Sequence, residues 1–273
     1  MNLSKSRVES FLTCPRKYDL TYNQGITPIS EAPQLVRGRL WHEALEAYWN
    51  ADSDDESDAM SGAFANKGLD GAEIAVYGSH ALAYCKRWEE SDFPACEVIS
   101  VEEEIRFDLG GHKVKSILDA VIETDEGVWI VESKTTSGDI SRSSPYWGRL
   151  PLDVQIGLYL YAARSAGYSP AGVIYDVAKF LPLKLGKDGR TDILGETVKA
   201  FCERALKACL KQKEKLFVRA VIEAEDIDTE KACSNAIGVA KLIEAGSYPQ
   251  NSRACWFRNG SCEFVNICYK SED

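Results

Sequence analysis

The sequence predicts an α/β fold, in which a mixed central sheet is flanked by helices and both chain ends contribute to a helical lobe. Three observations predict it. Residues 4–22, 32–50 and 70–90 carry apolar side chains at helical spacing. Three strand-like segments then follow one another over residues 97–135, separated by turns that contain glycine. Further helices are predicted on both sides of a fourth strand at 171–182.

The chain is predicted to divide into three consecutive regions. Residues 1–95 form a helical region, residues 96–190 hold the strands of the core, and residues 191–273 return as helices and a cysteine-rich tail that packs on the N-terminus. The predicted strands are 97–108, 112–123, 128–135 and 171–182. The later predicted helices are 151–166, 191–217 and 229–245. The acidic run at 51–58 is predicted to be an exposed loop.

The composition is that of a folded globular protein. Of the 273 residues, 45% are hydrophobic and 27% are charged, which excludes a disordered or collagen-like chain. The formal net charge of −10 argues against non-specific coating of nucleic acid but leaves room for a local basic groove. No apolar run reaches the roughly 18 residues of a membrane span, and the first ten residues lack the apolar segment of a secretory signal. We therefore expect a cytoplasmic protein without membrane contact.

Two neighbouring strands of the predicted hairpin carry the most informative polar residues. If the turn between them holds two or four residues, Asp119 lies directly opposite Glu132, with β-carbons about 4.5–5.5 Å apart. Lys134 then shares that face of the sheet. If residues 125–127 form a three-residue turn with a bulge, Asp119 faces Ser133 instead. The other residues on both faces are mostly apolar, so helices are expected on both sides.

Two carboxylates and an amine inside an apolar sheet are costly unless something compensates their charges. A divalent cation between Asp119 and Glu132 would remove the repulsion between them, and hard oxygen ligands suit Mg²⁺ or Mn²⁺. Lys134 could then act beside a bound water or the charge that develops on a phosphate. The alternative, from spacing alone, is a structural ion pair of Lys134 with the two acids and no chemistry.

The pattern of Asp119 followed by Glu132-Ser133-Lys134 resembles the signature of the PD-(D/E)xK nucleases. Further motifs resemble the RecB-like exonuclease branch, which includes the CRISPR-adaptation nucleases. In chain order these are Cys14-Pro15-Arg16-Lys17-Tyr18, the GxxxH motif at 38–42, the QxxxY motif at 155–159 and the C-terminal cysteines. The usual GxxD motif is Ser116-Ile117-Leu118-Asp119 here, so the carboxylate is present and the glycine is absent.

The resemblance implies a restriction-endonuclease-like core and a divalent-metal-dependent DNA exonuclease of recombination, repair or DNA-end processing. It implies these catalytic residues: Asp119, Glu132, Lys134, Gln155 and Tyr159. It implies these ligands for Mg²⁺ or Mn²⁺: His42, Asp119, Glu132 and the backbone carbonyl of Ser133. Gln155 and Tyr159 are four residues apart, so they share one helix face. Glu104, in the acidic run 102–104, is a separate candidate ligand for a second metal; the alternative is a solvated strand edge.

Nine cysteines in a chain without a secretory signal favour metal or cluster ligation over disulfides. Cys255, Cys262 and Cys268 have the spacing C-x6-C-x5-C in the tail, and Cys14 stands where the family has a fourth ligand. The resemblance thus implies an iron–sulfur [4Fe–4S] cluster that would clip the two chain ends together. Zn²⁺ and unligated thiols remain the alternatives.

Basic residues near these motifs are predicted to contact DNA. They are Arg16, Lys17, Arg37, Arg39 and Arg149. The expected partner is single-stranded DNA or duplex ends, with a recombinase or helicase as a candidate protein partner. Two other classes remain open: a non-catalytic DNA-binding or scaffold subunit that keeps the nuclease fold, and a zinc-stabilised nucleic-acid-binding module.

Overall fold

The computed structural model describes residues 2–28, 31–52, 54–188, 191–257 and 260–269. Within these ranges the chain forms the following strands: β1 (Asn2–Leu3), β2 (Glu97–Leu109), β3 (His112–Thr124), β4 (Gly127–Thr136), β5 (Pro170–Lys179), β6 (Lys187–Asp188), β7 (Thr191–Asp192), β8 (Phe217–Glu223), β9 (Trp256–Phe257) and β10 (Gly260–Ser261). Six of them form the central sheet, and the other four form two short hairpins.

The helices cover both faces of the central sheet, which confirms the predicted fold class. They are α1 (Lys5–Thr13), α2 (Pro15–Tyr18), α3 (Pro33–Asn50), α4 (Glu56–Gly62), α5 (Gly71–Glu89), α6 (Val154–Ser165), α7 (Val198–Lys211), α8 (Lys213–Leu216), α9 (Thr229–Glu244) and α10 (Val265–Tyr269). One hydrophobic core lies under α1, α6 and α9, and the second lies under α3 and α5. In the described part of the chain, no helix is long and apolar enough to cross a membrane.

Strand β3 has three strand partners, because one of its two edges pairs with two different strands. Its first edge pairs with antiparallel β2 along nearly its whole length. Its second edge pairs with antiparallel β4 only from Ala120 to Thr124, and with parallel β1 at Lys113 and Val114. The sheet continues from β4 through parallel β5 to antiparallel β8. Strands β3 and β4 therefore separate on the N-terminal side of Ala120, and a fork opens between them.

The turn between β3 and β4 decides the hairpin register. Thr124 pairs with Gly127, so the turn holds only Asp125 and Glu126. Ala120 then pairs with Val131. This is the first of the two predicted registers and excludes the three-residue turn, but the ladder ends at this pair, so Asp119 and Glu132 themselves are not paired.

The predicted helix over 191–217 is wrong at its N-terminal end, because Thr191–Asp192 form β7 and α7 begins only at Val198, and the strand β8 that follows it was not predicted. The helical part ends at Leu216, and β8 begins at Phe217. Buried Phe201, Ala205 and Cys209 have the four-residue spacing that stabilises a helix. The β-branched residues after Leu216 favour a strand, but a segment of seven residues next to a long helix is a weak local signal. The free edge of β5 supplies the partner that makes it a strand.

The predicted helix over 4–22 is divided at Cys14. Cys14 is extended, with φ −161° and ψ 111°, and Pro15 begins the next helix. Proline lacks the N–H that would continue the first helix, and its ring would clash with the preceding turn. The break leaves the side chain of Cys14 buried near the tail instead of on a helix surface.

Candidate active site

The candidate site lies at the fork between β3 and β4. The backbone ladder between β3 and β4 ends at the Ala120–Val131 pair, and the next contact between the two strands is made by a side chain. One carboxylate oxygen of Asp119 accepts a hydrogen bond of 2.7 Å from the backbone N–H of Ser133. On the other side of β3, the flanking pairs with β2 set Glu102 across from Asp119. The fork thus has a carboxylate on each of three neighbouring strands, the third being that of Glu132.

The alternation of side chains is interrupted at this point in both strands. Leu118 packs into the core under α1 and α6, whereas Ala120 packs into the core on the opposite face. In a regular strand two such residues would share a face. Across the ladder Glu102 has a φ of +50°, a left-handed conformation that costs a non-glycine residue about 1–3 kcal/mol. This irregularity brings the carboxylates of Glu102 and Asp119 next to α3.

Three ligand atoms converge there from α3, β2 and β3. His42, Glu102 and Asp119 each offer one such atom, and these atoms lie within 4.8 Å of one another. His42 Nδ1 lies 3.5 Å from Asp119 Oδ2. Burial, followed by the charges of Asp119 and Glu46, raises the pKa of Glu102 to about 7. An imidazole with two crowded carboxylates is a donor set that a divalent cation such as Mn²⁺ or Mg²⁺ satisfies.

Glu132 adds a third acidic group, and it is fully buried. Its Oε1 accepts a 2.6 Å hydrogen bond from Gln155 Nε2 and another from the ammonium of Lys134. Its Oε2 has no hydrogen-bond partner among the described residues. A buried carboxylate oxygen without a partner is costly, and a cation would remove that cost. The residues present therefore fit a metal.

Lys134 is held at the same carboxylate, two residues further along β4. Burial, and next the nearby charge of Lys5, lower the pKa of Lys134 to about 8. Its ammonium can therefore lose a proton near neutral pH, which an exposed lysine does not do. Behind Glu132, Gln155 Nε2 also donates to the hydroxyl of Tyr159 at 2.8 Å, so one helix face of α6 orients the acid.

The sequence of residues 2–269 matches the PD-(D/E)XK nuclease superfamily. This chain belongs to that superfamily. Its members are nucleases that usually use divalent metals, and the His42–Glu102–Asp119 group is suited to hold one.

Two solved structures are similar to this nuclease. A protein from Eubacterium rectale, provisionally described as an exonuclease, has a TM-score of 0.50 at 13% identity, covering 93% of this chain and 85% of that one. A structure named SSO0001 has a TM-score of 0.41 at 14% identity, covering 98% and 86%. At such identity the first supports the fold alone. Among curated proteins, none matches this chain.

Most of the predicted active-site residues of this nuclease meet at the fork. They are His42, Asp119, Glu132, Lys134, Gln155 and Tyr159. Ser133 is adjacent, and the group that contacts Asp119 is its N–H, whereas the prediction concerned its carbonyl.

Glu104 lies outside the group and does not fit the predicted second-metal role. Its carboxylate pairs with Arg106 and Lys115, which lower its pKa. Glu102 joins the group instead, whereas the predicted ligand from this acidic run is Glu104. The acidic run 102–104 was the available signal. Choosing its correct member required the left-handed φ of Glu102, which the sequence does not reveal.

The four predicted cluster cysteines line one cavity of about 260 Å³ between the N-terminal helices and the tail: Cys14, Cys255, Cys262 and Cys268. The backbone N–H of Asn251 donates to Cys14 Sγ at 3.4 Å, which joins the two chain ends. A tetrahedral zinc site, with Zn–S bonds of about 2.3 Å, would bring its sulfurs to within roughly 3.8 Å of one another. Among the described residues no three of these sulfurs lie within 4.8 Å.

The five predicted DNA contacts have different surroundings. Three of them pair with carboxylates of the chain: Arg16 with Asp19, Lys17 with Glu263, and Arg39 with Glu31. The guanidinium of Arg37 instead lies over the ring of Phe180, and that of Arg149 lies over Tyr146. In the described part of the chain, neither Arg37 nor Arg149 forms an ion pair, so both are available to a phosphate.

Proposed function

We propose that this nuclease is a divalent-metal-dependent DNA exonuclease of the RecB-like branch, acting in recombination, repair or DNA-end processing. The observation that carries the metal-dependent site is Oε2 of Glu132, which is buried and has no hydrogen-bond partner among the described residues; the next residue, Ser133, donates its N–H to Asp119 of the His42–Glu102–Asp119 group. A buried carboxylate oxygen without a hydrogen-bond donor adds a desolvation cost, which a bound cation would remove. The site therefore favours the catalytic interpretation.

In this proposal His42, Glu102, Asp119 and Glu132 hold the metal. When bound, the metal would polarise the scissile phosphodiester and lower the pKa of water. Lys134 donates a hydrogen bond to the attacking water or to a phosphate oxygen, and its depressed pKa allows it to exchange a proton near pH 8. Gln155 acts as a positioning residue, because its amide fixes the side chain of Glu132.

The substrate and the mode of cleavage rest on other observations. The superfamily implies DNA, and the cations of Arg37 and Arg149 are free in the described structure to contact phosphates. The ordered motifs at 14–18, 38–42 and 155–159 support the RecB-like branch and thereby cleavage from an end. A recombinase or helicase partner stays a prediction.

The decisive experiment compares linear and covalently closed circular DNA of one sequence. We expect the purified protein to release nucleotides from end-labelled linear DNA with Mn²⁺ or Mg²⁺, and to leave the circles intact. EDTA should abolish the release. Nicking of circles at the linear rate would refute the exonuclease mode. Binding of DNA without cleavage under either metal would favour the scaffold alternative.

We also propose that Cys14, Cys255, Cys262 and Cys268 bind a [4Fe–4S] cluster rather than zinc. Their shared cavity supports a common ligand, and their sulfurs are spaced too widely for a single tetrahedral ion. Anaerobically purified protein should contain iron and absorb visible light, and Cys262→Ser should reduce both. One zinc per chain without iron would contradict the proposal. Neither metal would indicate unligated thiols.

A further inference from the structure

Strand β8 forms one edge of the central sheet, and its outer side has no strand partner in the described structure. Its inner side pairs with β5 in an unbroken register from Phe217 to Glu223. An edge strand leaves alternate N–H and C=O groups unpaired along its outer side. These groups can be paired by another extended chain.

This edge lacks the features that usually prevent such pairing. Exposed edges are commonly protected by proline, a bulge or an outward lysine. β8 has no proline, and its register shows no bulge. Its one cation, Arg219, is turned inward, where Nε donates to Asp176 at 2.9 Å. In addition, the β-branched side chain of Val221 is 55% exposed.

A groove of about 790 Å³ runs along the first half of this edge. Its floor includes the consecutive residues 217–220. One wall comes from α5 and α8, with Trp88 and Lys215, and the other comes from the segment after β4, with Arg142 and Trp147. No residue of the metal group at the fork lines it. The groove is therefore a second site, separate from the candidate active site.

The groove is basic, although the chain as a whole carries a net charge of −10. Five basic and two acidic residues line it: Arg87, Arg142, Lys179, Lys215 and Arg219 against Asp139 and Glu214. Arg219 is neutralised by Asp176. Among the described residues, the other four cations form no ion pair, and Glu214 pairs with Lys213. This charge is complementary to an acidic ligand.

The ring of Trp88, which lines the groove, is not free to stack on a base of a single-stranded nucleic acid. Base stacking needs a free ring face. The ring of Trp88 already has the guanidinium of Arg219 at 3.9 Å and that of Arg87 at 4.7 Å. A base would have to displace Arg219 from its buried carboxylate. The unpaired backbone of β8, in contrast, is matched by a polypeptide strand and not by a nucleotide.

We propose that β8 and its groove bind an extended acidic peptide of a partner protein by strand addition. The backbone of the peptide pairs with Phe217–Glu223, and its carboxylates meet the cations of the two walls. A peptide of about seven residues covers this edge.

The probe for this proposal is a dye-labelled synthetic peptide of alternating aspartate and valine, followed by fluorescence anisotropy in EDTA. We expect saturable binding at low salt and none by a peptide with lysine in place of aspartate. Lys179→Glu combined with Lys215→Glu should weaken binding at least about tenfold. The matched control reverses the charge of two exposed lysines of α7, in Lys199→Glu with Lys207→Glu. It should bind the peptide as tightly as the parent protein does.

Hydrogen exchange tests the strand addition itself. We expect slower exchange of the β8 amides when the peptide is bound. Equal binding by both double variants, or unchanged exchange in β8, would overturn the proposal. A labelled oligothymidylate tests single-stranded nucleic acid as the alternative ligand. Suppose that the oligothymidylate binds, that its affinity falls in the Lys179→Glu, Lys215→Glu protein, and that the acidic peptide does not bind. The groove then binds nucleic acid, and the proposal is wrong. These outcomes do not depend on cleavage.

Discussion

Two buried acids on neighbouring strands differ in how their charge is compensated. Glu132 of β4 is 0% exposed and Asp176 of β5 is 2% exposed. One oxygen of Asp176 accepts hydrogen bonds from the Tyr84 hydroxyl at 2.6 Å and from Arg219 Nε at 2.9 Å. Glu132 likewise receives its two donors at one oxygen, but its other oxygen is buried without a partner, and among the described residues no buried oxygen of Asp176 is left in that state. Each acid has a cation of its own within the fold, and the difference lies in the second oxygen of Glu132, which has a lone pair left for an external cation.

The cations that pair with these two acids, Lys134 with Glu132 and Arg219 with Asp176, also differ from each other. Arg219 is always charged, and it is packed against the rings of Trp88 and Phe93 at 3.9 and 4.4 Å. Lys134 has a pKa lowered to about 8 by burial. The Asp176 pair is therefore permanent, while the Glu132 pair can rearrange when a metal or a substrate arrives.

The largest effect should follow when the acid at the fork loses its charge. We expect Glu132→Gln to reduce DNA cleavage at least about 10⁴-fold, because metal activation contributes several kcal/mol. The free energy of unfolding should change little, since the variant removes a poorly compensated charge. Release of end-labelled nucleotides and urea denaturation measure the two quantities. Glu104→Gln, which alters an acid outside the group, should keep its activity. Normal cleavage by Glu132→Gln would contradict the assignment.

Breaking the Arg219–Asp176 ion pair should instead lower the stability of the fold. Arg219→Met leaves Asp176 buried without its cation, and we expect the free energy of unfolding to fall by about 3–5 kcal/mol. Adding Asp176→Asn should recover part of this loss, because it removes the uncompensated charge. Urea denaturation of both variants provides the measurement. A loss below about 1 kcal/mol in Arg219→Met would mean that the pair is not structural.

A third buried group, His80, extends the comparison to pH. Its Nε2 accepts from the Leu181 N–H at 3.0 Å, and burial lowers the pKa of His80 to about 4. A proton therefore binds the unfolded chain first. The stability that comes from burying neutral His80 is fully present above pH 6.5. As the pH falls from 6.5 to 4, the free energy of unfolding decreases by up to about 3 kcal/mol. Urea titrations across this range should show a steeper loss in the parent protein than in His80→Gln. Equal slopes would contradict this.

The smallest expected effect concerns the residue that positions Glu132. We expect Gln155→Ala to raise the Mn²⁺ concentration for half-maximal cleavage about 10–100-fold, with activity recovered at saturating metal. A loss that excess Mn²⁺ does not restore would argue for a direct catalytic role. Gln212→Ala, at the end of α7 and away from the fork, is the matched control and should need no additional metal.

Much of the fold could be predicted because its signals are local. The glycine turns and period-two runs delimit β2, β3 and β4 to within about two residues, and the chemistry of the two-residue turn limits the hairpin to few registers. β8 could not be predicted, because its seven residues become a strand only when the edge of β5 is available. The domain boundaries near residues 95 and 190, the RecB-like branch and the cluster remain predictions.

The sequence by itself determined which residues could form the site, since Asp119, Glu132 and Lys134 have the chemistry and spacing of a metal-dependent nuclease. Only the tertiary structure decided that Glu102 rather than Glu104 joins them, and that β8 is an open edge. The physical reason is that both results depend on long-range contacts. A left-handed residue and a shift in side-chain alternation set the direction of a carboxylate, and strand pairing decides which backbone groups remain free.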